Sequence, residues 1–486
     1  MTKSKKIISC MLAFATIVSA GSCNGGGRTD TGNSTATTTT AMATSTTVND
    51  DIDNPVDVGD ITLDVTDLDT ADIAGTTIKY LGVYDPTKAG DVKPAYKYFV
   101  ENYDATMEIE ICPDAEIMEN VAKYIAADAS PDLVDMRDNT FPYYIAKNSY
   151  EPLDQYFNLS APQWEGVADI IDGYAVGGKH YYYPWCYYVA PCVMIYNRGL
   201  FNEYGINDPK ELYDAGNWNW DTFYDCMVKF VENTKIEDAI GLYGYMSSSA
   251  INSTGKALIS YDDGKFVNNL RSPEIDRAET FLEKLKKEGL SSLTYNDYST
   301  VAHEPVIDGA AAFHIVGEWK ITDYSKIQAK KGNEDLDIFF VPFPKDPSAD
   351  KYYYAFKTFG YLVPAGSKNA KASCVFINCV RMSITDEELA ATTKESIMKN
   401  KKYTDEQYEF WNLFHNATNF ESDCLVKEFS SSFDTDTLST VITPIQEDVP
   451  FVDDSEDKVT SWTVLKESNF NMLETKVEEM NTLLGA

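Results

Sequence analysis

The sequence predicts an α/β protein: mostly parallel sheet with helices on both faces, in a chain long enough for two such lobes. Three observations predict it. Strand-like and helix-like runs alternate from Thr76 to Met136, strand-like runs return around 337–364, and about 410 residues lie beyond a low-complexity N-terminal tract.

Thr76 to Tyr84 is β-rich and stops at Asp85-Pro86, Ala95 to Tyr103 is helical, and Met107 to Ile111 alternates like a strand. Glu116 to Ala129 puts Ile117, Val121, Tyr124 and Ile125 on one helix face, and Pro131 to Met136 reads as a short buried strand. In the middle, Asn219 is an N-cap for a helix to Asn233 whose buried stripe is Phe223, Met227 and Phe230. Ser272-Pro273-Glu274 opens another helix that stops near Gly289. Asp337 to Pro342 and Phe359 to Pro364 are late strands separated by a polar, Tyr-rich excursion, and no internal repeat is present.

The N-terminus reads as an export signal over residues 1–22. Lys3, Lys5 and Lys6 precede an apolar run, Ile7 to Val18, that is short for a permanent membrane span; small residues then lead to Cys23. Ala20-Gly21-Ser22-Cys23 resembles a bacterial lipobox, with Ala20 where Leu is usual, which implies lipidation of Cys23; a secreted protein with a free Cys23 is the alternative. Residues 23–74 then form a Thr- and Asp-rich linker, with too few large apolar side chains to offset the entropy of ordering. Its aspartates lack the spacing of a calcium loop.

Loss of the three signal lysines takes the formal net charge from −35 to −38, which excludes nucleic acid and anionic lipid as partners. Of nine cysteines, seven remain beyond Cys23, an odd number without Cys-x-x-Cys spacing; they read as small buried hydrophobes. The four histidines form no His-x-x-x-His pair, so neither a metal nor a cofactor is expected.

Four ordered segments across residues 76–385 resemble the family 1 extracellular solute-binding proteins, the group that includes maltose-binding protein. They are Pro131-Asp132-Leu133-Val134 with Glu151-Pro152-Leu153-Asp154; Tyr183-Pro184-Trp185 running to Met194–Phe201, then Tyr204-Gly205-Ile206 and Asn219–Phe223; Asp308–Phe313 with Gly317-Glu318-Trp319; and Val341–Pro344 with Gly360–Pro364 and Gly366–Asn369. The last hundred residues match loosely. The resemblance implies the two-lobed, type II periplasmic-binding-protein-like fold, with one lobe from 75–190 and 316–385 and the other from 191–315 and 386–486. Crossings are expected near Val189–Met194 and Phe313–Glu318. It further implies a monomer outside the cytoplasmic membrane, tethered by the lipid on Cys23, that closes over an oligosaccharide and serves the transmembrane subunits of an ABC permease.

Sugars present apolar C–H faces and a rim of hydroxyls, so their sites combine flat rings with carboxylates, amides and guanidinium groups. On position within the resemblance, Trp319 is the leading ring and Glu318 its neighbour, against a core tryptophan as the plain alternative. Trp185, Tyr187 and Tyr188 sit where the family crosses the cleft. Arg137, Asp138 and Asn139 follow the third strand, at the carboxyl end where open α/β sheets bind ligands; Asp138 and Asn139 also suit an ordinary turn. Tyr84, Asp85, Tyr245 and Tyr361 are further ring and acid positions, whereas Trp218 and Trp220 read as packing anchors.

A peptide or polyamine ligand fits the same fold, and so does a ligand sensor without transport. A surface glycoside hydrolase would need two carboxylates about 5–10 Å apart, a pair that so acidic a chain supplies by chance. No Gly-x-Ser-x-Gly elbow, phosphate loop or metal-spaced histidine cluster is present, so no enzyme is expected.

Overall fold

The computed structural model describes residues 70–485 apart from 91, 138–139, 245, 263, 292–303, 334, 416–418, 434–436, 444 and 446–460. The signal segment, Cys23 and nearly all of the linker lie outside the described residues, as do Asp138, Asn139 and Tyr245. Among the described residues, regular structure begins inside the stretch read as linker. Thr70–Ile73 is a 3-10 turn whose Ile73 is buried and whose Asp72 carboxylate meets Lys371 Nζ at 2.9 Å. One apolar side chain with a docking surface is enough to hold this turn.

In chain order the strands are β1 (Thr77–Gly82), β2 (Thr106–Ile111), β3 (Leu133–Asp135), β4 (Tyr183–Val189), β5 (Cys192–Asn197) and β6 (Ile240–Gly244). They continue with β7 (Ile259–Asp262), β8 (Lys265–Asn268), β9 (Ala311–Gly317), β10 (Ile338–Pro342), β11 (Tyr354–Leu362) and β12 (Leu425–Val426). The first sheet runs β12-β11-β3-β1-β2, with β4 also on β11; the second runs β10-β5-β9-β6; β7 and β8 form a hairpin.

The alternation of strand and helix up to Met136 builds the parallel triplet β2-β1-β3, in which Tyr80 lies opposite Ile109 and Leu133. Both sheets are mixed rather than mostly parallel, because strands arriving from the other sheet run the opposite way. β11 is antiparallel to β3 and β4, and β5 is antiparallel to β9 and β10. β4 and β5 belong to different sheets, so the chain crosses at Ala190-Pro191. Ala190 takes φ 53°, a left-handed conformation that costs about 1–3 kcal/mol, and its N–H donates to the Ala355 carbonyl at 2.8 Å.

The return crossing and the lobe boundaries need correction. β9 and β10 both stay in the second sheet, so the chain leaves it at residues 343–353 and not at Phe313–Glu318. The boundary expected at 316 therefore moves past Pro342, and the first part of the Tyr-rich excursion is this connection, while from Tyr354 it belongs to β11, which starts earlier than Phe359. The boundary expected at 386 is not clean either. Glu387–Lys401 packs on Lys93–Tyr103 and Ala370–Thr385, and β12 joins the first sheet.

Local signals hold where they are stereochemical. Asn219 Oδ1 accepts from the backbone N–H of Asp221 and Thr222, and Thr222 Oγ1 accepts from Asn219 N, a capping box for Trp220–Asn233. Trp218 is fully buried, and its Nε1 donates to the Pro342 carbonyl at 2.9 Å, so it anchors packing.

Candidate functional site

A cavity of about 670 Å³ lies between the first sheet and the β7–β8 hairpin, within the range of ligand pockets of roughly 300–1,000 Å³. Tyr187 of β4 and Phe356 of β11 line it from the sheet, Tyr261 comes from the hairpin, and Phe420 from the C-terminal segment. The Tyr187 hydroxyl donates to the Gly166 carbonyl at 2.9 Å, and its ring meets Phe356 edge-on. Asp169 and Asp172 are exposed lining residues, and Asp172 Oδ1 lies 2.9 Å from His180 Nε2.

Lys427, just after β12, completes the lining. Its ammonium donates to the Gly173 carbonyl at 2.7 Å and sits 3.5 Å from the Tyr174 ring centroid. A Cβ at Gly173 would stand 2.9 Å from Lys427 Nζ, so a larger residue there would shift the lysine tip. Burial pushes Lys427 down to about pKa 7. The next two residues tie the hairpin to the sheet. Glu428 accepts from Leu258 N at 2.8 Å and Ile259 N at 3.2 Å, and the Phe429 ring packs against Phe141, Tyr174, Tyr261 and Phe266.

Of the site residues predicted from sequence and among the described residues, Tyr187 alone lines this cavity. Trp185 and Tyr361 are buried and stacked on each other, the Trp185 carbonyl accepts from Arg381 Nη1, and Tyr361 packs on Phe376 of helix Ala370–Thr385. Both are core residues, because that helix covers their face of the sheet. Tyr84 shares a 2.9 Å hydroxyl hydrogen bond with Tyr361; burial raises its pKa first of all, and the nearby Tyr361 and Asp135 add to this. Tyr188 is buried too, between Phe359 and His415.

Asp85 accepts from Thr87 N and Oγ1 and pairs with Lys88 at 2.8 Å. Burial acts to raise its pKa, but the bonds from Lys88 and Thr87 outweigh it and hold the group below the usual carboxylate range. Arg137 Nε pairs with Asp114. Glu318 is buried: its Oε2 accepts from Trp411 Nε1 at 3.0 Å and lies 3.6 Å from His415 Nε2, while its N–H donates to the Pro191 carbonyl. Burial in this cluster drives the His415 pKa well below its ordinary value, with Lys401 adding to the effect. Beside buried Glu318, Trp319 is 41% exposed, and its ring folds over Gly317.

Sequence reasoning missed Tyr261, Phe356, Phe420, Asp169, Asp172 and Lys427. Tyr261 had a usable signal, since it precedes the Asp-Gly turn of a hairpin. Lys427 had none, because it lies where family resemblance is weakest. Among the described residues no group of three or more His, Cys, Asp or Glu could hold a metal ion, and no helix is long and apolar enough to cross a membrane.

The fold resembles known structures. An ABC substrate-binding protein of Listeria monocytogenes, solved with cycloalternan, matches at 16% identity and TM-score 0.57, over 82% of this chain and 98% of that one. The cyclic alpha-maltosyl-1,6-maltose binding protein of Arthrobacter globiformis matches at 13% and 0.59, over 84% and 98%. The sugar-binding protein MalE of Xanthomonas citri matches at 14% and 0.57, over 84% and 97%. At these identities the likeness establishes the fold. A search of curated protein sequences gives no significant match. The model of the bacterial extracellular solute-binding proteins matches residues 95–413, most of the folded chain. With the two-sheet architecture and a ligand-sized cavity, that match makes the chain a member of the bacterial extracellular solute-binding protein family.

Proposed function

We propose that the protein captures a small saccharide outside the cell and delivers it to an ABC import permease, with the cavity beside β4 and β11 as the binding site. One observation carries this reading: four aromatic rings from separate parts of the chain converge with two carboxylates and an ammonium on one ligand-sized space. Rings cover the C–H faces of a sugar and the charged groups hold its hydroxyls. The similar structures named for cycloalternan and cyclic maltosyl-maltose support the saccharide class. No group in this arrangement is assigned a catalytic role. Tethering through a lipid on Cys23 and a monomeric state belong to the same proposal.

A thermal-shift screen of the chain lacking residues 1–23, against saccharides, amino acids, peptides and polyamines, tests the reading. A saccharide at a hundredfold excess over its dissociation constant should stabilise the protein by about 2.7 kcal/mol. A response to peptides or polyamines alone would replace the ligand class.

We propose Trp319 as a further saccharide contact outside the cavity lining, since its ring is 41% exposed just after β9, next to the buried Glu318 that Trp411 holds. Trp319→Ala should weaken saccharide affinity roughly tenfold, a typical loss for a binding aromatic, and leave the melting temperature unchanged. Calorimetry showing wild-type affinity would remove Trp319 from the site.

A further inference from the structure

Lys427 brings an ammonium into the cavity wall. Lys88, Lys123, Lys210, Lys371 and Lys394 each have a carboxylate within 3 Å. Lys427 instead has one backbone carbonyl and two rings, Tyr174 at 3.5 Å and Phe429 at 5.0 Å, and no carboxylate partner among the described residues. Its proton affinity is lowered by burial alone. A desolvated cation without a counter-ion is costly to keep. Gly173 nevertheless leaves room for it, and the strap through Glu428 and Phe429 holds it in the cavity wall.

The acids of the same cavity do not neutralise it. Asp169 and Asp172 are exposed, where water and salt screen their charge, and Asp172 is already engaged by His180. The wall therefore pairs a half-buried positive charge, with no carboxylate partner among the described residues, with sugar-sized aromatic surface. A saccharide carrying a carboxylate meets both demands: its ring lies on the aromatic surface and its acid group reaches the ammonium in a charge-assisted hydrogen bond.

On the reading that this cavity binds saccharide, we propose that its ligand is an acidic one, an oligosaccharide containing uronic acid, with the carboxylate seated against Lys427.

Calorimetry on the full mature chain tests this with matched probes: oligogalacturonates, oligoglucuronates and oligomannuronates, each beside its neutral methyl ester. At least one free acid should bind tenfold or more tighter than its ester, and Lys427→Met should bring that ratio to about one while Lys427→Arg restores most of it. Equal binding of acid and ester, or a preference that survives in Lys427→Met, overturns the proposal. The acid-to-ester ratio of the wild-type protein decides the matter even if Lys427→Met fails to fold. If no acid binds, neutral malto- and cello-oligosaccharides divide the failures. A neutral ligand overturns the acidic assignment and keeps the saccharide site, whereas silence from every saccharide overturns both.

Discussion

Asp132→Ala is expected to destabilise the fold by about 3–5 kcal/mol, read as a lower urea midpoint with an unchanged slope. The carboxylate is buried and saturated. Its Oδ1 accepts from Ser367 Oγ at 2.9 Å, Asn369 N at 3.0 Å and Lys368 N at 3.1 Å, while Oδ2 accepts from Lys79 N at 2.9 Å and Asn369 Nδ2 at 3.0 Å. Helix Ala370–Thr385 has no side-chain cap of its own, so Asp132 supplies the negative charge at its N-terminus from the edge of β3. Alanine would leave five donors without their acceptor, and Asp132→Asn, which keeps the shape but presents an amide to other donors, should lose an intermediate amount. A loss below about 1 kcal/mol for Asp132→Ala would mean that water replaces the carboxylate without cost.

Glu279→Gln is expected to stabilise the protein, increasingly so as pH rises from 4.5 to 8. Glu279 is fully buried on helix Pro273–Lys287, with Ser247 Oγ donating to Oε1 at 2.6 Å, and burial raises its pKa to about 8. The sign follows from which state holds the proton. Below the unfolded value of 4.5 both states are protonated and the group is neutral to stability. Between 4.5 and 8 the unfolded chain releases the proton while the folded one keeps it, so folding becomes costlier as pH rises. The accumulated cost is on the order of 3–5 kcal/mol by pH 8, and glutamine, which cannot ionise, avoids it. Melting curves of both proteins at pH 4.5 and pH 8 provide the check; a difference that does not widen at the higher pH refutes the assignment.

The Asp132 node also shows how far the sequence could be read. Pro131-Asp132-Leu133-Val134 and Gly366-Ser367-Lys368-Asn369 are two of the segments that carry the family resemblance, over 200 residues apart. In the structure they form one hydrogen-bonded joint. The resemblance found both halves without revealing that they touch. The Glu318–Trp319 pair is similar: the motif was visible, but the burial of one residue and the exposure of its neighbour depend on Trp411 and Pro191.

By itself the sequence determined the α/β class, the parallel opening triplet, the helix starts at Asn219 and Ser272 and the family. These follow from side-chain period and local stereochemistry, which act within a few residues. Only the tertiary structure decided where the chain returns to the first sheet, and which tyrosines and tryptophans are walls and which are core. An aromatic ring with a polar handle suits either place. Helix Ala370–Thr385 buries Trp185 and Tyr361, the hairpin and the Lys427–Phe429 strap bring Tyr187, Tyr261 and Lys427 to one cavity, and Trp319 stays open. Each outcome depends on a partner far away in the chain, and such contacts leave no periodic trace in the residues themselves.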